Sequence, residues 1–194
     1  MLTIAWDVDD VLNDLMRSWL SAWKRQHPEC RVEYAEITEN PPDRVLGITR
    51  KEYLVSLDAF RISKRAAQME PNPIIVEWMK NFGTGYRHVA LTARPLASTA
   101  EAADWVFRHF GAYIRSFGVV PVRLPAGVPV YDADKGDFLR WAGNIDVLID
   151  DSEDNLRAAE RSDVRGILYP QPWNHSTQDV REALESLTEF AEAH

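Results

Sequence analysis

The chain has 194 residues, 45% of them hydrophobic and 27% charged, with a formal net charge of −8, which is the composition of one folded domain with room for a small insertion. The acidic balance argues against a nucleic-acid or anionic-membrane surface, since either would need a basic face. A single cysteine, Cys30, excludes an internal disulfide; no stretch approaches the roughly 18 apolar residues of a membrane span, and no basic segment leads into an apolar one at the start, so a cytoplasmic protein is expected.

In chain order, the first apolar run, Leu2–Asp7, reads as a buried strand. Residues 13–71 hold no convincing strand. They carry an amphipathic stretch through Trp19 and Trp23, a turn at Asn40-Pro41-Pro42 and a helix-like stretch near Lys51–Leu57, and so predict a helical cap inserted after the first strand. From there strands and helices alternate: helix Pro73–Phe82, strand Arg87–Thr92, helix Ser98–Phe110, strand Gly118–Arg123, helix Lys135–Ala142, strand Asp146–Asp150, helix Glu153–Arg161, strand Arg165–Tyr169 and helix Gln178–Ala193. Continuous apolar strands between amphipathic helices predict a parallel sheet in an α/β, Rossmann-like three-layer sandwich. The expected organisation is a core of residues 1–12 and 72–194 with a cap over 13–71. Because ligands of open α/β sheets bind beyond the carboxyl ends of the strands, an insertion leaving that end of the first strand would roof the site.

The carboxyl ends of the predicted strands are unusually polar. The first ends in Asp7-Val8-Asp9, the second in Leu91-Thr92-Ala93-Arg94 and the fourth in Ile149-Asp150-Asp151, with Lys135 opening the helix before it. In a continuing strand Asp7 and Asp9 would share a side, with Asp150 and Asp151 facing them across the rim. Convergent carboxylates repel unless a cation joins them, and Mg²⁺ takes hard oxygen ligands together with a phosphate oxygen. Lys135, the only lysine after Lys80, could neutralise a carboxylate and a phosphate oxygen together. The Thr92 hydroxyl and the backbone N–H groups beside it, at Ala93, suit phosphate oxygens. Arg94 is a candidate substrate contact and equally a candidate partner for an acid. Asp10 and Asp14 are as consistent with capping the next helix as with binding a ligand.

The order "DVDDV" (Asp7–Val11), "LTAR" (Leu91–Arg94), Lys135 and "LIDDSEDN" (Leu148–Asn155) resembles the four motifs of the haloacid dehalogenase-like superfamily. The resemblance implies that Asp7 is a nucleophile forming an aspartyl-phosphate, that Asp9 is general acid and base, and that Thr92 and Lys135 hold the phosphoryl group. It further implies that Asp7, the carbonyl of Asp9, Asp150 and Asp151 serve Mg²⁺, with Asp151 directly bound and Asp150 supporting. The aspartate at position 9 implies a phosphohydrolase rather than a dehalogenase.

The insertion after the first motif, with "MEPNPIIVEWMKNF" (Met69–Phe82), "ADWVFRHFG" (Ala103–Gly111) and the "LIDD" ending, is similar to the cytosolic 5′(3′)-deoxyribonucleotidase branch. That branch implies a nucleotide substrate and cap aromatics stacked on its base, for which Trp19, Trp23, Tyr53 and Phe60 are the candidates. Core packing competes for Trp19 and Trp23, which sit at helical spacing. The leading expectation is a Mg²⁺-dependent 5′-nucleotidase without a stable nucleic-acid or membrane partner, monomeric or homodimeric. The alternatives are a phosphatase for a sugar phosphate or other small metabolite, a phosphorylatable receiver-type module and a catalytically silent phosphate-binding protein. The "QPWNHS" loop (Gln171–Ser176) reads as turn chemistry that could border the pocket.

Overall fold

Five strands, β1 (Thr3–Trp6), β2 (Arg87–Arg94), β3 (Ile114–Pro121), β4 (Val147–Asp150) and β5 (Arg165–Leu168), pair in parallel in the order β3-β2-β1-β4-β5. They belong to a computed structural model that describes residues 1–192. Ala193, the last residue of the expected C-terminal helix, and position 194, the end of the expected core, lie outside the described residues.

Every residue of β1 and β4 is buried, as strands covered on both faces must be. Period-two alternation divides them between two apolar cores. Ile4 and Trp6 of β1, with Val147 and Ile149 of β4, face helices α5 (Pro73–Phe82), α6 (Thr99–Phe110) and α9 (Val180–Glu192) through Ile75, Trp78, Met79, Trp105, Val106, Phe110, Leu184 and Leu187. Ala5 and Leu148 face α7 (Lys135–Ala142) and α8 (Glu153–Glu160) through Leu139, Leu156 and Ala159. The expected three-layer α/β sandwich is therefore present.

The strand boundaries differ from expectation most in β3, which also ends at Pro121 rather than Arg123, and in β2. β3 begins at Ile114 rather than Gly118, because it is an edge strand with Arg115 and Ser116 exposed, and a search for continuous apolar runs misses a strand with a wet side. β2 continues past Thr92 to Arg94, because Val120 and Pro121 of β3 extend the ladder opposite Ala93 and Arg94.

Local chemistry starts the helices that carry the site. Asn72 caps α5 through the N–H of Ile74 at 3.1 Å with Pro73 in the first turn, Asp134 caps α7 through the N–H of Asp137 at 3.1 Å, and Ser152 caps α8. These are the residue types that satisfy orphan N–H groups. Gly136, the second residue of α7, lets α7 lie against α8: a Cβ there would fall 2.5 Å from the carbonyl oxygen of Ala158. Gly136→Ala is expected to destabilise the protein by about 1–3 kcal/mol through overpacking, readable as an earlier thermal melt. Unchanged stability would mean that the two helices separate freely.

Between β1 and α5 the chain makes a helical excursion. It leaves and returns at one point, where Asn13 and Pro71 form an antiparallel bridge and the N–H of Asn72 donates to the carbonyl of Leu12 at 2.8 Å. The excursion holds α1 (Leu15–Gln26), α2 (Asp43–Leu46), α3 (Arg50–Arg61) and α4 (Lys64–Ala67). α3 starts in a capping box between Thr49 and Glu52, and α2 and α4 are too short to show periodicity in sequence. The excursion has its own apolar cluster, centred on Leu15, Trp19, Leu20, Ile37, Tyr53, Leu57 and Phe60. No helix among the described residues is long and apolar enough to cross a membrane.

Candidate active site

β1 occupies the centre of the sheet, with β2 and β4 as its neighbours, so the winding direction reverses at its carboxyl end, the point where open α/β sheets bind ligands. Asp7 sits there. Its N–H still donates to the carbonyl of Ile149 at 2.9 Å, but strand pairing stops and a tight turn follows over Val8–Leu12. Asp9 stays extended and Asp10 takes a left-handed conformation with φ of 63°, which bends the chain toward α1. The Asp10 carboxylate accepts from the N–H of Met16 at 2.7 Å and so caps α1, whereas Asp14, beside the first residue of α1, makes no side-chain cap.

Lys135 is 1% exposed and its ammonium joins two strands, donating to Asp7 at 2.7 Å and to Asp150 at 2.6 Å. The Asp150 oxygens also accept from the Asn155 amide at 3.0 and 3.1 Å and from the N–H of Ser152 at 2.9 Å, so both are engaged. Asp151 accepts from the indole N–H of Trp173 at 2.7 Å. Asp9 stands apart: Arg94, from the end of β2, and Arg61, from the end of α3, both donate to it, the latter at 3.0 Å. Arg94 thus pairs with the second aspartate of the first motif, one of the two roles open for it in sequence.

These pairings sort the carboxylates. Burial works against ionisation of Asp9, but Arg94 and Arg61 outweigh it and hold that carboxyl below its ordinary range. Burial pushes Asp7 up to about 7 despite Lys135, with Asp150 and Asp9 adding to the rise. Asp151 is driven well up by burial and then by Asp150 and Asp7; Asp10 is driven well up by burial and then by Asp151. For Lys135 the two aspartates outweigh burial and strengthen its hold on the proton. Asp7, Asp10, Asp150 and Asp151 therefore share one ammonium, which leaves the cluster short of positive charge.

A divalent cation fits that deficit. Asp7, Asp150 and Asp151 each offer an oxygen within 4.8 Å of the others', and hard oxygen donors suit Mg²⁺. The deficit also has a sign in stability. Between about pH 4 and 7 the folded protein keeps a proton on Asp7 that the unfolded chain has released, so metal-free stability falls as pH rises through that window. Asp10 and Asp151 act in the same direction; Asp9, shifted the other way, contributes stability that is lost only as pH falls through its lowered value. In metal-free buffer the melting temperature is expected to drop on going from about pH 5 to 8, and Asp7→Asn to flatten the slope. An equal slope in the variant would remove Asp7 as the cause.

A cavity of about 240 Å³ opens over this rim. Asp7, Asp9, Asp10, Thr92, Ala93, Lys135 and Asp151 line it on the core side, and Tyr53, Leu57 and Arg61 line it from the excursion, with Arg123 beside them. Thr92 Oγ1 is buried and has no hydrogen-bond partner among the described residues. The structure brings the expected core residues together. It does not bring Trp19 or Phe60 to the cavity: both pack in the apolar cluster of the excursion, Trp19 donating to Ser56 at 3.0 Å, because residues on the buried stripe of α1 and α3 stabilise those helices against each other. Of the candidate aromatics only Tyr53 lines the cavity.

Sequence reasoning missed Arg61 and underrated Trp173. Arg61 carries no motif, and only the placement of the end of α3 beside Asp9 reveals it. Trp173 lay in the noticed "QPWNHS" loop, whose proline and asparagine pointed to a turn rather than to a contact with Asp151.

Strand order and the helical insertion after β1 give a fold like that of haloacid dehalogenase-like proteins. Solved structures agree. Over 98% of both chains the protein superposes on a haloacid dehalogenase-like hydrolase from Streptococcus pneumoniae with a TM-score of 0.66 and 12% identity. A protein assigned as a β-phosphoglucomutase from Thermotoga maritima gives 0.62 and 19% identity over 97% of this chain and 99% of that one, and a subfamily IA hydrolase of the same superfamily from Geobacter sulfurreducens gives 0.57 and 16% over 96% of each. No family model matches the sequence, and no curated protein matches it significantly.

Proposed function

We propose that the protein is a Mg²⁺-dependent phosphomonoesterase acting on a small phosphorylated metabolite. The observation that carries this reading is the buried, unpartnered hydroxyl of Thr92 in the same cavity as the Lys135 ammonium, Asp7 and Asp151. A buried hydroxyl without a partner is destabilising on its own, and a phosphoryl oxygen held by Thr92, the Ala93 backbone and Lys135 would satisfy it. Asp7, Asp151 and the Asp9 carbonyl would hold Mg²⁺, with Asp150 supporting, and the ion would draw charge from the phosphoryl group.

In this proposal an Asp7 oxygen attacks phosphorus, the ester P–O bond breaks, and the leaving alkoxide takes a proton from Asp9. A water then gives its proton back to Asp9, attacks the aspartyl-phosphate and releases inorganic phosphate and the Asp7 carboxylate. As arranged here Asp9 is held ionised by two arginines. Its acid duty therefore requires both Arg94 and Arg61 to loosen their hold, and Arg61, carried by α3 in the cap of residues 13–71, would do so if that cap moved.

The substrate is the finer question. A 5′-nucleotide would find Tyr53 as a stacking ring but neither Trp19 nor Phe60. A sugar phosphate fits equally well, with Arg61 and Arg123 as hydrogen-bond donors in the wall and a structural neighbour assigned as a β-phosphoglucomutase. The receiver-type alternative is disfavoured by strand order, since flavodoxin-like receivers run 2-1-3-4-5 and this sheet runs 3-2-1-4-5. A free thiol at Cys30 and the acidic net charge support a cytoplasmic setting. The deciding experiment is a phosphate-release screen over 5′-nucleotides and sugar phosphates, with and without Mg²⁺. Metal-dependent release from one class is expected; no release from any ester would leave a phosphate-binding protein instead.

A further inference from the structure

We infer that Trp173 is a positioning residue for Asp151, holding the aspartate in place for a cation through its indole N–H. The inference rests on the metal-site reading above and adds a residue that the four motifs do not contain.

The loop after β5 is folded onto the site from two sides. The Asn174 amide donates to the carbonyls of Asp151 at 2.9 Å and Tyr169 at 2.8 Å, while its oxygen accepts from the N–H groups of Gln171 at 3.2 Å and Ser176 at 3.3 Å. Gln171 donates to the carbonyl of Asp10 at 2.6 Å and accepts from the Tyr34 hydroxyl at 2.6 Å. The loop is thereby tied to the ends of both strands that carry the carboxylates. With its frame held this way, the Trp173 ring rests edge-to-face against Tyr34, with centroids 6.0 Å apart, and among the apolar side chains of the excursion.

From that seat its N–H reaches Asp151 Oδ2 at 2.7 Å. Asp151 Oδ1 has no hydrogen-bond partner among the described residues and is left for a ligand. The chemistry of the donor matters. Asp7 and Asp150 repel Asp151, and without a restraint the carboxylate would turn away from them. A lysine or arginine in place of Trp173 would restrain it but would also neutralise it and compete with a divalent ion. An indole is a neutral, donor-only group; it orients the carboxylate and leaves its charge in place. Partners of this kind beyond the metal's own ligands typically change affinity by about 10–100-fold when removed.

The test uses the full chain and Mg²⁺ alone. Mg²⁺ is titrated by calorimetry into the wild type, Trp173→Phe and Trp173→His, and each is melted with and without the ion. Phenylalanine keeps an aromatic ring and loses the N–H; histidine gives up ring area but can place an N–H at the equivalent ring position. Trp173→Phe is expected to bind Mg²⁺ about 10–100-fold more weakly and to lose most of the Mg²⁺-induced rise in melting temperature, while Trp173→His stays within about threefold of wild type. A packing role predicts the reverse order. Equal affinity in wild type and Trp173→Phe, or equal weakening in both variants, would overturn the inference and leave the metal site standing. Should Trp173→Phe not fold, a tenfold loss in Trp173→His would overturn it by itself. A wild type that takes up no Mg²⁺ would overturn the metal-site reading and this inference with it.

Discussion

Asp7→Asn is expected to abolish phosphate release, by at least about 10³-fold, in a protein that folds as well as the wild type. The amide has the shape of the carboxylate and can still accept from Lys135, which keeps its second partner Asp150 at 2.6 Å. It is not a competent nucleophile toward phosphorus. Removing one charge from a cluster in which Asp150 and Asp9 both raise Asp7 relieves repulsion, so in metal-free buffer near neutral pH the variant should melt at the same temperature as wild type or higher. The expected signature is lost turnover with stability retained. Appreciable activity in a folded Asp7→Asn would assign the nucleophile elsewhere, and lost activity together with lost folding would make Asp7 a structural residue.

Lys135→Ala is expected to fail in the opposite way, losing stability and activity together. The ammonium lies between Asp7 and Asp150, whose side chains are 9% and 0% exposed, and breaking a buried pair from one side leaves the remaining charge uncompensated. The loss is expected to be about 3–5 kcal/mol, which for a chain of this length is a fall of about 6–20 °C in melting temperature. Protonation of Asp7, whose carboxyl burial already pushes up to about 7, softens the loss in acid, so the gap from wild type should widen as pH rises. Added Mg²⁺ should narrow it, because a cation in the cluster replaces part of the missing charge. A Lys135→Ala variant as stable as wild type at alkaline pH would show that the aspartates do not depend on the ammonium.

The sequence by itself determined the sheet and the helices that cover it. β1 and β4 are buried on both faces, so their sequences have to be continuously apolar, and the helices between strands must show an apolar stripe; both patterns are local and legible. The residues clustered on the core side, Asp7, Asp9, Thr92, Lys135, Asp150 and Asp151, were also legible, because a parallel sheet gathers the carboxyl ends of its strands on one edge regardless of the details. The span 13–71 stood out because strand periodicity stops there.

Tertiary structure alone decided what the pairings are. Which aspartate is ionised depends on charges distant in sequence: Arg61 is 52 residues from Asp9, and Lys135 is 128 from Asp7. The motif DVDDV gives Asp7 and Asp9 different roles but no difference in charge state, yet Asp9 is clamped by two arginines and Asp7 is pressed toward its neutral form. Trp19 and Phe60 looked available for stacking because an aromatic on a helix reads the same whether it faces a ligand or a neighbouring helix; the contact between α1 and α3 turned both inward. Trp173 looked like part of a turn until the loop after β5 brought its N–H to Asp151. Local pattern specifies which elements form and which of their faces are buried, while electrostatics and hydrogen bonding between distant residues depend on distances that only the folded chain sets.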